Sequence, residues 1–304
     1  MKAAPAKWSR PAIESDAATR TAFATLCTAA LAQIAANAPG VARGDAAEYL
    51  HQLRVGLRRL LSAMRIFSPL LRRKRAKAVG RGLRDAMQVF GAARDWDVFL
   101  VTLTRAGAGE ALARSAVRQH ASVTMKARSL ARSAAFQKTH DRVRRWLDHG
   151  PWRSSAPADE RVLDYTRGAL DRAYRRLHKH AHGIDWRNPQ RRHRVRIALK
   201  RLRYGCDFFA GCFPARSVGP FLRQLGALQN TLGDLNDIAV AHTLLAELHA
   251  DGKSVRRWLV RRERELIASL SREWAAFARM RPYWQDVQAL RAARRTPRPS
   301  ASRA

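Results

Sequence analysis

The sequence predicts an all-α protein, and three features carry that expectation. Apolar residues recur with helical periodicity through almost every segment from Thr19 to Arg291. The alternation of β-branched residues that a half-buried strand needs is nearly absent. Clusters of turn formers punctuate the periodic stretches at Asn37–Gly44, Ala106–Gly109, His149–Pro157, Gly183–Pro189 and Gly211–Pro220.

Taken in order, Met1–Ser15 is rich in Pro and Ala and precedes the first apolar period, so residues 1–18 are expected to form a disordered tail. The uncharged stretch 22–36, AFATLCTAALAQIAA, resembles a signal-peptide core. Its long lead containing Glu14 and Asp16 favours an amphipathic first helix instead. No uncharged apolar run is expected to reach the ~20 residues of a membrane span. Residues 149–157 sit at mid-chain and mark a linker at 151–157, which separates a first helical bundle over 19–150 from a second over 158–291. Ala292–Ala304, AARRTPRPSASRA, has no apolar period and is expected to be a basic, disordered tail.

The two halves match one another. His51–Val98 aligns with His193–Val240 without a gap at a constant offset of 142 residues. His51, Arg54, Leu57, Arg59, Leu60, Phe67, Arg81, Leu83, Gly91, Asp95 and Val98 are identical to their counterparts, while Arg58 pairs with Lys200 and Val55 with Ile197. An internal duplication that yields two pseudo-symmetric four-helix bundles is the architecture expected from this pattern.

Charge narrows the function. The 304 residues carry 58 Lys plus Arg against 24 Asp plus Glu, a formal net charge of +34 that a compact fold tolerates only at the cost of self-repulsion. A polyanionic partner relieves it, whether nucleic acid, an anionic membrane or polyphosphate. The three cysteines, Cys27, Cys206 and Cys212, make neither an even framework nor a zinc pattern, which fits a reducing, cytoplasmic setting.

The cations are not scattered. Successive helical residues turn by ~100°, so His51, Arg54, Arg58 and Arg65 share one stripe while Leu53, Leu57, Leu60, Met64 and Phe67 occupy another arc. In the second half His193, Arg196, Lys200 and Arg203 repeat the stripe, opposite Val195, Leu199, Leu202, Cys206 and Phe209. An ordinary solvated face would interleave acids at i,i+4 spacing, yet none interrupts Leu50–Pro69 and only Asp207 falls in His193–Pro214. Guanidinium groups donate paired hydrogen bonds to phosphate oxygens, and a stripe from 51 to 65 spans ~21 Å, long enough to follow several linked phosphates. Arg59 and Arg201 within the motifs, and Arg81 with its counterpart Arg223, are further candidates. Arg172, Arg176 and Lys179 form a stripe on a preceding helix that could continue the groove or simply be solvated.

The runs His51-Gln-Leu-Arg54-Val-Gly-Leu-Arg58-Arg59-Leu and His193-Arg-Val-Arg196-Ile-Ala-Leu-Lys200-Arg201-Leu-Arg203-Tyr204 resemble the signature helices of the CHAD family, the conserved histidine α-helical domain. The segments around Gly91-Ala-Ala-Arg94-Asp95 and Gly233-Asp-Leu-Asn236-Asp237 match as well. The resemblance covers about residues 19–290. It implies two four-helix bundles around a basic groove or pore that binds inorganic polyphosphate, in a family associated with polyphosphate granules. Leu61 stands where the first signature helix usually has Arg, whereas the second half keeps Arg203, so the second half is expected to bind more strongly. The Glu-x-Glu-x-Lys mark of a triphosphate-tunnel domain is lacking, the nearest run being Glu263-Arg-Glu265-Leu-Ile267.

Other features have plainer readings. His51 and His193 are weighed as phosphate contacts, packing residues, metal ligands or phosphoacceptors, with flanking cations expected to lower their pKa and disfavour metal. His178, His180 and His182 suggest a solvated or anion-facing helix end rather than a chelate. Asp95, Asp97, Asp234 and Asp237 suit salt bridges or caps better than a metal site, and Trp146, Trp258 and Trp274 read as core. No HExxH, GxSxG or Walker loop is present, so no enzyme, cofactor or metal is expected. The expected partner is inorganic polyphosphate, on cytoplasmic granules. Nucleic-acid binding is the first alternative, weakened by the lack of aromatics among the stripe residues Arg54–Arg65, and a metal-dependent phosphohydrolase is the second.

Overall fold

A computed structural model describes residues 4–150, 152, 159–248 and 251–286. Among them are nine α-helices and no strand: α1 Thr19–Arg43, α2 Ala47–Ile66, α3 Arg73–Arg105, α4 Glu110–Arg132, α5 Ala134–His149, α6 Val162–Ala181, α7 Pro189–Phe208, α8 Ala215–Glu247 and α9 Lys253–Ala278. The all-α fold is as the periodicity predicts. Element boundaries recur at the sequence offset, for α7 and α8 lie 142 residues beyond α2 and α3 at both ends, as does the 3-10 turn Ala210–Cys212 beyond Ser68–Leu70.

The first half differs from a plain four-helix bundle by carrying a fifth helix. Ser133 takes an extended backbone after α4, and its hydroxyl accepts a hydrogen bond from the Phe136 amide, which caps α5. Two further boundaries depart from expectation. The turn formers at 37–44 do not end α1, which runs through Pro39 to Arg43 and stops at Gly44, whose φ of +79° suits the residue without a side chain. Likewise Pro220 lies inside α8, whose start at Ala215 leaves the break at Phe213 and Pro214.

The apolar arcs read from the sequence are the core. Leu53, Leu57, Leu60, Phe67, Val195, Leu199, Leu202, Cys206 and Phe209 are all fully buried. Within the first half α1 packs on α2 and α4, and α3 on α2, α4 and α5; within the second, α7 packs on α6 and α8, and α8 on α9. The halves meet where α2 packs on α7 and α3 on α8. Phe67 and its counterpart Phe209 touch edge to face at that meeting point, 5.6 Å apart, while Phe67 stacks on Tyr165 of α6 at 5.3 Å. The Tyr165 hydroxyl donates to the Ile66 carbonyl at 2.7 Å and so ties α6 to the end of α2.

Three expectations about the connecting segments are corrected. Residues 4–18 are not a disordered tail: Ile13 is buried, Trp8 packs on the core, and Ala6 exchanges hydrogen bonds with the Asn37 side chain at 3.1 and 2.9 Å. An antiparallel bridge between Ala18 and Arg161 then joins the starts of α1 and α6. Trp152 of the expected linker is buried against Phe23 and donates its indole N–H to the Trp146 carbonyl. The rest of 151–157 and the tail 292–304 lie outside the described residues. Finally, α1 is long and apolar enough to cross a membrane by length and composition, because its uncharged run extends from Thr21 to Ala42 rather than ending at Ala36. Half of its most apolar window is buried, with Phe23, Leu26, Ala30 and Ile34 in the core.

Because Phe67 joins both halves, Phe67→Ala should cost about 3–5 kcal/mol. Chemical denaturation followed by circular dichroism measures it, and a loss well below that range would show that the two halves do not depend on this contact.

A cationic cleft at the contact of the two halves

The two stripes converge. α2 and α7 present Arg54, Arg58, Arg196 and Lys200 to one another closely enough that Arg58 disfavours the charge of the other three, and Arg54 and Arg196 that of Lys200. Burial, reinforced by Arg58, lowers the Arg54 pKa to about 10. Burial, with Arg196, Arg58 and Arg54 around it, lowers that of Lys200 to about 7. Burial lowers Arg196 in the same direction. Two carboxylates at matching positions, Asp95 of α3 and Asp237 of α8, offset part of this charge; burial raises the pKa of both against the pull of the surrounding cations. The expected structural role of the acids fits their placement: Asp95 lies 3.7 Å from Arg54, and Asp97 bonds His120 at 2.8 Å. Among the described residues no three His, Cys, Asp or Glu side chains gather as metal ligands do.

Beside this cluster opens a cleft of about 950 Å³ between α2, α3 and α7. Arg58, Arg65, Arg73, Lys77, Arg84, Lys200 and Arg201 line it, with no carboxylate among the lining residues. Leu61, Met64, Leu71, Met87 and Ile197 form its apolar parts, and such low-dielectric walls strengthen the field of the cations above them. The buried Nε–H groups of Arg58, Arg196 and Arg201 have no acceptor among the described residues. A buried donor left unpaired costs more than a hydrogen bond is worth, so packing these guanidinium groups together carries a cost. Arg201 is close enough to Arg65 and Arg176 for both to lower its pKa after burial does, so the positive track continues from the cleft onto α6.

The candidates from sequence divide accordingly. Arg58, Arg65, Lys200 and Arg201 line the cleft, and Arg196 stands behind it in the cluster. Arg54 is largely committed to the fold, donating to the carbonyls of Gly91 at 2.8 Å and Phe90 at 3.3 Å. Arg59 faces the other side of α2 and pairs with Asp207 at 3.4 Å. Arg81, Arg172, Arg176, Lys179 and Arg223 are exposed, Arg203 is half-buried, and none of the six lines this cleft.

The histidines stand apart from it too. Burial and then Arg94 lower the pKa of His51, while His193 is exposed beside Arg192, Arg196 and Asn236. His178 is not at a solvated helix end: its ring packs on Tyr174 and Trp274, and burial lowers its pKa.

Sequence reasoning missed Arg73, Lys77 and Arg84. Their spacing puts them within about 40° on one face of α3, a readable signal. Their counterparts, Ala215, Gly219 and Gly226, carry no charge, so matching the halves passes over them. Leu61 lines the open cleft and Arg203 does not, and the cleft draws its extra cations Arg73, Lys77 and Arg84 from the first half.

Fold and site define an all-helical protein with a cationic cleft at the contact of two helical halves. The chain belongs to the CHAD domain family, associated with polyphosphate: the family model matches residues 25–246. The crystal structure of the CHAD domain from the plant Ricinus communis is similar, with TM-score 0.72 and 28% identity, covering 97% of this chain and 98% of that one. PptA from Streptomyces chartreusis shares the fold at TM-score 0.62 and 16% identity, covering 86% of this chain and 98% of its own. No curated protein matches the chain.

Two outcomes separate fold from site. Arg54→Ala should destabilise the protein by about 1–3 kcal/mol, as it strips donors from buried carbonyls. Arg65→Ala, on an exposed side chain, should leave the melting curve within about 0.5 kcal/mol of native. Equal losses in thermal denaturation would contradict this division.

Lys200 sets a pH signature. Its folded pKa of about 7 lies below the unfolded 10.5, so the native state binds fewer protons than the unfolded state between those values, and this group's contribution to stability rises with pH across that window. An anion in the cleft favours the charged amine, so binding at pH 8 should take up a proton. Calorimetry in buffers of different ionisation heat should detect the uptake in the native protein and not in Lys200→Met.

Proposed function

We propose that the protein binds inorganic polyphosphate in the cleft between α2, α3 and α7, without catalysing a reaction on it, and that it associates with polyphosphate granules in the cytoplasm. The carrying observation is the lining itself, seven cations and no carboxylate over apolar walls. Planar guanidinium groups pair with the oxygens of successive phosphates, and the run from Arg73 and Lys77 to Lys200 and Arg201 offers a linear polyanion contacts along its length. Family membership supports the same partner. Among the lining residues Tyr204 is the one aromatic side chain, which is poor provision for stacking successive bases.

The test is competition. At physiological salt, long-chain polyphosphate should bind more tightly than RNA or DNA of equal charge; equal or tighter nucleic-acid binding would overturn the proposal. Arg58→Glu with Arg201→Glu should weaken polyphosphate binding by about a hundredfold or more with helicity unchanged, since two attractive contacts become repulsive. Raising salt from about 50 to about 200 mM should weaken native binding by about a thousandfold, as expected where six or more phosphates are neutralised.

A further inference from the structure

The offset of 142 pairs each position of the open cleft with one across the α2–α7 contact. Arg58 and Lys200 are each other's counterparts, and both line the open cleft. Arg65, Pro69 and Arg201 of the open cleft correspond to Asp207, Gly211 and Arg59. The chain's own N-terminal segment lies against all three of those counterparts and takes up the side chains of Arg59 and Asp207. The Arg59 guanidinium lies over the Trp8 ring, 4.4 Å from its centroid, and Trp8 sits 6.4 Å from Phe208. Arg10 pairs with one oxygen of Asp207 at 2.6 Å, while the other oxygen is 3.4 Å from Arg59. The Ile13 carbonyl lies so near Gly211 that a Cβ there would stand 3.5 Å from it. Upstream, Asn37 holds Ala6 through two hydrogen bonds.

We propose that residues 6–13 form a strap that keeps a second phosphate-binding cleft shut, so that a phosphate polymer reaches Arg58 and Lys200 from one side only. This rests on the polyphosphate reading of the open cleft. A guanidinium whose face is covered by an indole and whose edge is paired with a carboxylate has little left to offer a phosphate. Without the strap, Arg59 and Arg203 would be free to add to the charge of Arg58 and Lys200, and the ligand class would again be a linear phosphate anion. Asp207 stands where the open side has Arg65, and it gives Arg10 a partner that no residue on the open side could supply.

The experiment is a calorimetric titration of the full chain with tripolyphosphate, small enough to occupy one side. The native protein should show a single binding event, and the Trp8→Ala/Arg10→Ala variant should gain a second, doubling the stoichiometry. A folded variant that still binds once overturns the strap and leaves the polyphosphate reading intact. Should the native protein fail to bind tripolyphosphate and longer chains alike, that reading itself falls, and the strap with it. If the double variant loses helicity, Trp8→Leu/Arg10→Gln decides by the same titration, because it uncovers the face of Arg59 and removes the Arg10–Asp207 pair while leaving an apolar side chain against Phe208; a second event supports the strap and an unchanged single event overturns it.

Discussion

Four cations, Arg54, Arg58, Arg196 and Lys200, are pressed together where α2 meets α7, and the rest of the molecule is arranged around the cost of holding them there. Each is partly withdrawn from water, and Arg58 disfavours the charge of the other three. Two features make this bearable. The apolar arcs of the same helices bury a continuous core that extends through Phe67 and Phe209, and the hydrophobic gain along those faces keeps the charged edges in register. Asp95 and Asp237 enter from α3 and α8 as the nearby carboxylates, at positions that match across the offset. Compensation is incomplete, as the lowered pKa of Lys200 shows. What is left over is a standing attraction for an anion.

That attraction is directed by asymmetry between two halves in which α7 and α8 repeat the boundaries of α2 and α3. On one side α3 contributes Arg73, Lys77 and Arg84, so the cluster opens into a cleft whose lining is wholly cationic or neutral. On the other, α8 has Ala215, Gly219 and Gly226 at those positions, Asp207 replaces Arg65, and the N-terminal segment lies across. A matching backbone thus carries two different surfaces. Differences in a few side chains are enough, because the sign of a local field depends on the sum of nearby charges while the fold depends on the buried arcs.

The helix periods and the paired motifs were legible in the chain because both follow from the geometry of a single helix. An arc of Leu53, Leu57, Leu60 and Met64 faces a core wherever that helix packs, and every one of them is buried. The roles of individual arginines were less legible. Arg54 and Arg58 sit one turn apart on the same stripe, yet one is spent on the Phe90 and Gly91 carbonyls and the other looks into the cleft. Only the approach of α3 distinguishes them. Arg73, Lys77 and Arg84 had a stripe of their own, but the comparison of halves selects what is repeated and so overlooks charge confined to one of them. Composition misjudged the N-terminal segment for a similar reason: its Pro and Ala carry no period, and the partners of Trp8, Arg10 and Ile13 are distant in sequence.

By itself the sequence determined an all-helical chain, two matching motif helices and a charge imbalance that calls for a polyanion, since propensity, periodicity and net charge are local or additive properties. Tertiary structure decided which cations share a cleft, which hold backbone carbonyls, and which lie beneath Trp8. Those outcomes depend on distances between helices far apart in the chain, and at such contacts a shift of one turn exchanges a buried donor for a free one.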